Sequence, residues 1–122
     1  MTLNERIIAV VTPIVPVCVP DLLVTEAGET PPEEYCTFNY TELPDGLGDN
    51  CAVLTRALVQ VHYFAPLKAS TLAVRHALRD AIAAVDNFTL PSIENATDET
   101  GQHYVLEFDA VGRWEAEDDG QS

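Results

Sequence analysis

The sequence predicts a single α+β domain in which a mainly antiparallel sheet carries helices packed on one face. Two segments place apolar residues at helical spacing, and four others have the composition of β-strands, in the order α-β-β-α-β-β. The 122 residues are 47% hydrophobic and 21% charged, which is typical of one globular domain. We therefore predict one domain over residues 1–114 and a disordered acidic tail over 115–122, where four acids fall between Glu115 and Asp119.

The N-terminal helix is predicted from the stretch TLNE, a capping box in which Thr2 and Glu5 satisfy each other's free backbone N–H groups. Four apolar residues then share one helical stripe: Leu3, Ile7, Val10 and Val11. Pro13 disfavours helix at the residue before it, so the helix ends near there and the Pro-rich segment to Pro20 is extended. The stretch EAGETPPEE, residues 26–34, is predicted to be a turn-rich loop.

A hairpin is predicted from two strand-like segments that flank an acidic, turn-rich link. The first segment is YCTFNY, from Tyr35 to Tyr40, and the second is AVLTRALVQVHYFA, which ends before Pro66. Pro44, Gly46 and Gly48 supply turn chemistry in the link between them.

The main helix is predicted over residues 70–86, where apolar residues recur at helical spacing from Val74 to Val85. Arg75 and Arg79 lie one turn apart and are assigned to its outer face.

Two C-terminal strands follow the main helix. The first, FTLPSIENA, is interrupted by Pro91 and belongs at a sheet edge. The second, HYVLEFDAVG, places one set of residues on a common face: Tyr104, Leu106, Phe108 and Ala110.

The charge distribution argues against nucleic acid as a tight ligand, because the net charge is −14 and phosphate would be repelled. The stretch between Asp49 and Asp80 contains no acid and carries +4, leaving −18 for the rest of the chain. The four bases of the stretch without acids form a candidate subunit interface: Arg56, Lys68, Arg75 and Arg79. The candidate loop contacts on the acidic side are Asp45, Asp49, Asp98 and Glu99. The alternative is that these bases neutralise acids within their own subunit.

The histidines and cysteines are the residues that could form a chemical site. His103 lies among Asp98, Glu99 and Glu107, which could mark a metal or acid-base site, but the spacing matches no HxH or HExxH pattern and favours a surface or interface residue. Three cysteines show no metal-binding spacing, and a nucleophilic pair of Cys36 or Cys51 with a histidine has no local motif in support. We predict no catalytic residue, no cofactor and no metal.

The cysteine usage fits a reducing cytosol. The apolar run from Ile7 to Val24 is broken by three prolines and contains Asp21, so it is not predicted to span a membrane.

Four stretches together resemble the tail terminator, or tail completion, proteins of long-tailed phages and prophages: EYCTFNYTELPDGLGDN, VQVHYFAP, LAVRHALRDAI and FTLPSIENATDETGQHYVLEF. The resemblance covers about residues 1 to 112. It implies a small α+β subunit of a hexameric ring that caps the tail tube and ends its polymerisation. The implied partners are further copies of the chain, the major tail tube protein and the head completion or connector protein. DNA would pass through the lumen without specific binding, and the protein would assemble in the host cytoplasm and reside in the virion neck.

A DNA-mimicking inhibitor, or another small protein-binding module, is the alternative class for an acidic domain of this size. A mimic should expose ordered carboxylates along helices or strands. Here many acids fall in predicted loops and in the tail, which disfavours mimicry.

Overall fold

A computed structural model describes residues 2–45 and 54–112 and confirms the α+β class. The elements in chain order are α1 (Leu3–Val11), β1 (Cys18–Pro20), β2 (Tyr35–Asp45), β3 (Leu54–Ala65), α2 (Leu72–Ala83), β4 (Ser92–Asn95) and β5 (Gln102–Gly112). The strands form one sheet of order β1-β2-β3-β5-β4, in which only the β1–β2 pairing is parallel. The observed order matches the predicted one apart from the additional strand β1.

The predicted hairpin is formed by β2 and β3, which pair from Tyr35 with Phe64 to Asp45 with Leu54. Strand β2 is longer than predicted, because the polar residues after Tyr40 continue the ladder instead of forming the turn. The tip of the hairpin, with Asp49 and Cys51, lies outside the described residues.

Strand β1 was predicted only as an extended, Pro-rich segment. Its three residues pair in parallel with β2, from Cys18 beside Cys36 to Pro20 beside Phe38. A sheet edge suits Pro20, because proline has no N–H to donate to a further strand. Three residues are too few to show a period in the sequence, so this strand could not be recognised locally.

Both helices pack on one face of the sheet, as predicted. The capping box of α1 is confirmed: the backbone N–H of Thr2 donates to Glu5 Oε1 at 2.8 Å, and that of Glu5 donates to Thr2 Oγ1 at 3.1 Å. The fully buried helix residues are Leu3, Ile7 and Val11 of α1 and Leu78 and Ile82 of α2. They join the predicted face of β5, from Tyr104 to Ala110, in one core. Burying each large aliphatic side chain contributes roughly 1.5–3 kcal/mol.

The main helix is shorter than the predicted 70–86. Helix α2 ends at Ala83, and Asn87 adopts a positive φ of 69°, a backbone conformation that asparagine tolerates better than most residues. Strand β4 lies at the sheet edge beside Pro91, as predicted. Among the described residues, neither helix is long and apolar enough to cross a membrane. The predicted acidic tail, residues 115–122, lies outside the described residues.

Candidate functional site

The face of the sheet opposite the helices is the candidate functional site, and we call it the open face. Strand alternation sends every second residue of the three long strands to this face. Most of these side chains are half-buried or exposed, whereas most of their neighbours in sequence are buried. The open face comprises Tyr35, Thr37 and Asn39 of β2; Arg56, Leu58, Gln60, His62 and Phe64 of β3; and His103, Val105, Glu107 and Asp109 of β5.

Three stacked rings cross the open face at one end of the sheet. The register aligns Tyr35 with Phe64 and Phe64 with His103. The ring centroids are 4.8 Å apart for Tyr35 and Phe64 and 4.3 Å apart for Phe64 and His103, with an interplanar angle of 21° in both pairs. We call these three residues the aromatic row. It gives the open face an apolar, rigid patch of the kind that is enriched at protein interfaces.

His103 of the aromatic row bonds to His62, a second histidine on the open face. Nδ1 of His62 lies 2.9 Å from Nε2 of His103, and Nε2 of His62 lies 3.3 Å from Nδ2 of Asn39. Burial lowers the pKa of both imidazoles, and the neighbouring His103 lowers that of His62 further. The negative charge of Asp98 opposes this effect on the pKa of His103 without reversing it. Both shifts favour the neutral form of the rings.

A cleft of about 340 Å³ adjoins the aromatic row. All three rings of the row line it, together with the carboxylates of Glu33 and Asp98. Asp98 accepts hydrogen bonds from the backbone N–H and the hydroxyl of Thr100, at 2.9 and 2.6 Å, and these bonds lower the pKa of its carboxyl group. The cleft thus combines ring faces with carboxylates, a setting that favours cationic groups.

Two of the four predicted interface bases are neutralised within their own subunit. Arg56 forms an ion pair with Asp109 at 2.9 Å on the open face, and Arg79 forms one with its neighbour Asp80 at 3.0 Å. The intrasubunit alternative therefore describes these two residues. Lys68 is exposed in the turn before α2.

The assignment of Arg75 to the outer face of the main helix is wrong. Its guanidinium carbon lies 4.1 Å from the centroid of the Tyr104 ring, and its Nε donates to Thr71 Oγ1 at 3.3 Å. Arg75 precedes Leu78 by three positions and Ile82 by seven, so it shares their stripe of the helix. It lies at the margin of the core rather than on a free surface.

The predicted acidic loop contacts do not form one group. Asp98 and Glu99 are exposed in the β4–β5 turn, close to the end of β3 at Ala65. Asp45 pairs with Leu54 at the opposite end of β3, roughly 36 Å away at the usual rise per residue. Asp49 lies outside the described residues.

Cys18 and Cys36 face one side of the sheet, and His62 and His103 face the other. Cys18 and Cys36 are buried free thiols on the helix-covered side. Burial raises the pKa of Cys18 to about 11 and that of Cys36 further, so neither forms a thiolate readily. The sheet lies between the side chains of Cys36 and His62, so these two residues cannot act together as a nucleophile and its base. Within residues 2–45 and 54–112, no three histidine, cysteine, aspartate or glutamate side chains are placed to hold a metal ion.

The contact between His62 and His103 was missed by sequence reasoning. Both histidines lie in predicted strands, and the alternation of β5 puts His103 on one face with Glu107 and Asp109. The two histidines meet because β3 pairs with β5 in a register that places His62 diagonally across from His103. No local pattern encodes that register.

The chain matches no protein-family model, and no curated protein matches it.

Proposed function

We propose that the protein is a tail terminator: a structural subunit of a ring that caps the tail tube of a long-tailed phage or prophage. The observation that carries this proposal is the open face. A sheet with helices on one side leaves the other side to water or to a second chain, and this side bears the stacked rings of Tyr35, Phe64 and His103. The resemblance noted in the sequence supports the same class of protein.

In this proposal the open face of one subunit contacts the next copy around a closed hexamer. A contact between unlike surfaces produces a ring when its rotation closes. The net charge of −14 supports a lumen that DNA traverses without binding, because carboxylates repel phosphate. The ring would sit between the major tail tube protein and the head completion or connector protein, in the virion neck.

The acidic-mimic alternative is less well supported by the charges on the open face. A mimic needs ordered carboxylates that are free to bind a basic partner. Here Asp109 is paired with Arg56, and Glu107 accepts a hydrogen bond from Gln60 at 3.1 Å. These two ordered acids are engaged within the subunit.

The test is the substitution Phe64→Ser, made in the phage or prophage that encodes the chain. Phe64 is the middle ring of the aromatic row, so the change removes its apolar surface and leaves the helix-covered core intact. The matched control is Leu72→Ser, which removes an exposed apolar side chain from α2. Tube lengths are measured by negative-stain microscopy, and the mass of each purified variant is measured by sedimentation.

We expect Phe64→Ser to give folded subunits that do not assemble and tubes of uncontrolled length, while Leu72→Ser gives normal tubes. Normal tube lengths with a folded Phe64→Ser protein would contradict the proposal that the open face makes the ring contact. Normal tubes in the complete absence of the protein would contradict the terminator function itself.

A further inference from the structure

The bonded histidines lie in a chain of hydrogen bonds that crosses three strands, from Asn39 on β2 through His62 on β3 to His103 on β5. An amide nitrogen only donates, so Nε2 of His62 accepts from Asn39, and the ring proton of His62 lies on Nδ1. That proton is donated to Nε2 of His103, whose own proton therefore lies on its Nδ1. The amide of Asn39 thus sets the tautomers of both rings.

A proton added from solvent has two possible places in this chain. On Nε2 of His62 it replaces the acceptor, and Asn39 must turn its amide so that its carbonyl oxygen accepts instead. On Nε2 of His103 it points at Nδ1–H of His62 across 2.9 Å, which removes the bond between the rings. If both places are filled, two cations also lie with ring centroids 5.1 Å apart.

We propose that His62 and His103 form a pH-sensitive switch on the open face, which takes up one proton with a turn of the Asn39 amide and a second only by breaking the bond between the two rings. The pair therefore titrates in two separated steps and not as two independent histidines.

The groups around the pair influence both steps. The titratable side chains on the neighbouring elements are Glu33 before β2, Tyr35 on β2, Glu94 on β4, Asp98 in the β4–β5 turn, and Glu107 on β5. Asp98 favours the charged form of His103, but the burial of that ring outweighs it. Glu107 is engaged by Gln60, and Arg56 farther along the face is engaged by Asp109.

Proton uptake changes the surface that another chain would meet. The first proton places a positive charge on the open face next to Phe64, and the second separates the two imidazole rings. Resting on the proposed function, this predicts that acidification weakens the contact between ring subunits. The switch itself is a property of the isolated chain and is tested there.

The test is an NMR titration of the full-length ¹⁵N-labelled chain from pH 8 to pH 4.5, in which the imidazole nitrogens report tautomer and charge. At pH 8 we expect both His62 and His103 to carry their proton on Nδ1. We expect their midpoints to differ by more than about one pH unit, as coupled sites do. His62→Gln should leave His103 titrating in one step at higher pH, because its charged neighbour is gone. The control His76→Gln alters an exposed histidine of α2 and should change neither step.

A shared single midpoint for His62 and His103, or an Nε2-protonated His62 at pH 8, would overturn the switch. So would a His103 midpoint that His62→Gln leaves unchanged. The tube-length assay at neutral pH tests the proposed function separately, so either idea can fail alone.

Discussion

The amide of Gln102 is the most completely bonded polar group in the described core, and its removal is the sharpest test of the packing. Its Nε2 donates to the backbone carbonyls of Pro66 and Ala69, each at 2.8 Å. Its Oε1 accepts from the hydroxyls of Thr71 and Tyr104, also at 2.8 Å each. The side chain thus ties the turn before α2 to the first residue of β5.

The substitution Gln102→Leu keeps the size of the side chain and removes these four bonds, together with a longer one of 3.4 Å from Nε2 to the carbonyl of Leu67. The three carbonyls belong to a turn that water reaches, but the hydroxyls of Thr71 and Tyr104 are buried and lose this acceptor. Thr71 Oγ1 still accepts from Arg75 Nε, but the proton of each hydroxyl loses the Gln102 acceptor, and a buried donor without an acceptor costs about 1–3 kcal/mol. The added apolar surface of leucine offsets about 1 kcal/mol of this. We therefore expect the free energy of unfolding to fall by about 3 kcal/mol.

Urea unfolding followed by circular dichroism measures this loss. The matched control is Gln60→Leu, which removes one bond, to Glu107, on the open face and should cost no more than about 1 kcal/mol. The dependence of the free energy on urea should be the same in both variants, since the surface exposed on unfolding hardly changes. A loss at Gln102 that is no larger than the loss at Gln60 would refute the argument.

Two further predictions concern the charged groups. Arg75→Ala should lower the free energy of unfolding by about 1–2 kcal/mol through the lost contact with Tyr104, whereas Arg79→Ala should lower it by less than about 0.5 kcal/mol, as exposed ion pairs do. Thermal unfolding measures both changes, and equal losses of stability would show that Arg75 lies on the outer face. The pKa of both bonded histidines is lowered, so the unfolded chain binds protons first as the pH falls below about 6.5. Stability should therefore decrease from pH 7.5 to 5.5, and less steeply in His62→Gln; parallel pH profiles for the two proteins would count against this assignment.

Several elements could be predicted because their signals are local. The capping box places the start of α1 within a few residues, and alternation over β5 assigns its buried face without reference to the rest of the chain. The position of α2 follows from its apolar period, although the prediction extended two residues too far at the N-terminus and three at the C-terminus. Periodicity identifies a helix more reliably than it identifies the residues at which the helix ends.

The placement of Arg75 shows where local reasoning failed. The charge of Arg75 suggested a side chain that points to solvent, but its position in the helix places it on the stripe of Leu78 and Ile82. A long guanidinium side chain can lie over a ring such as Tyr104 while its polar atoms keep a partner. Residue type alone therefore misplaced it.

The sequence by itself determined the α+β class, the hairpin and the face that β5 buries, because these depend on spacings within one segment. The tertiary structure alone decided which strands are neighbours and in which register they pair. It added β1 beside β2, and it brought together His62 and His103, which are 41 positions apart in the chain. Register is set by packing between distant segments, and a shift by one residue would send every side chain of a strand to the other face. The open face and its two bonded histidines therefore exist only in the folded chain.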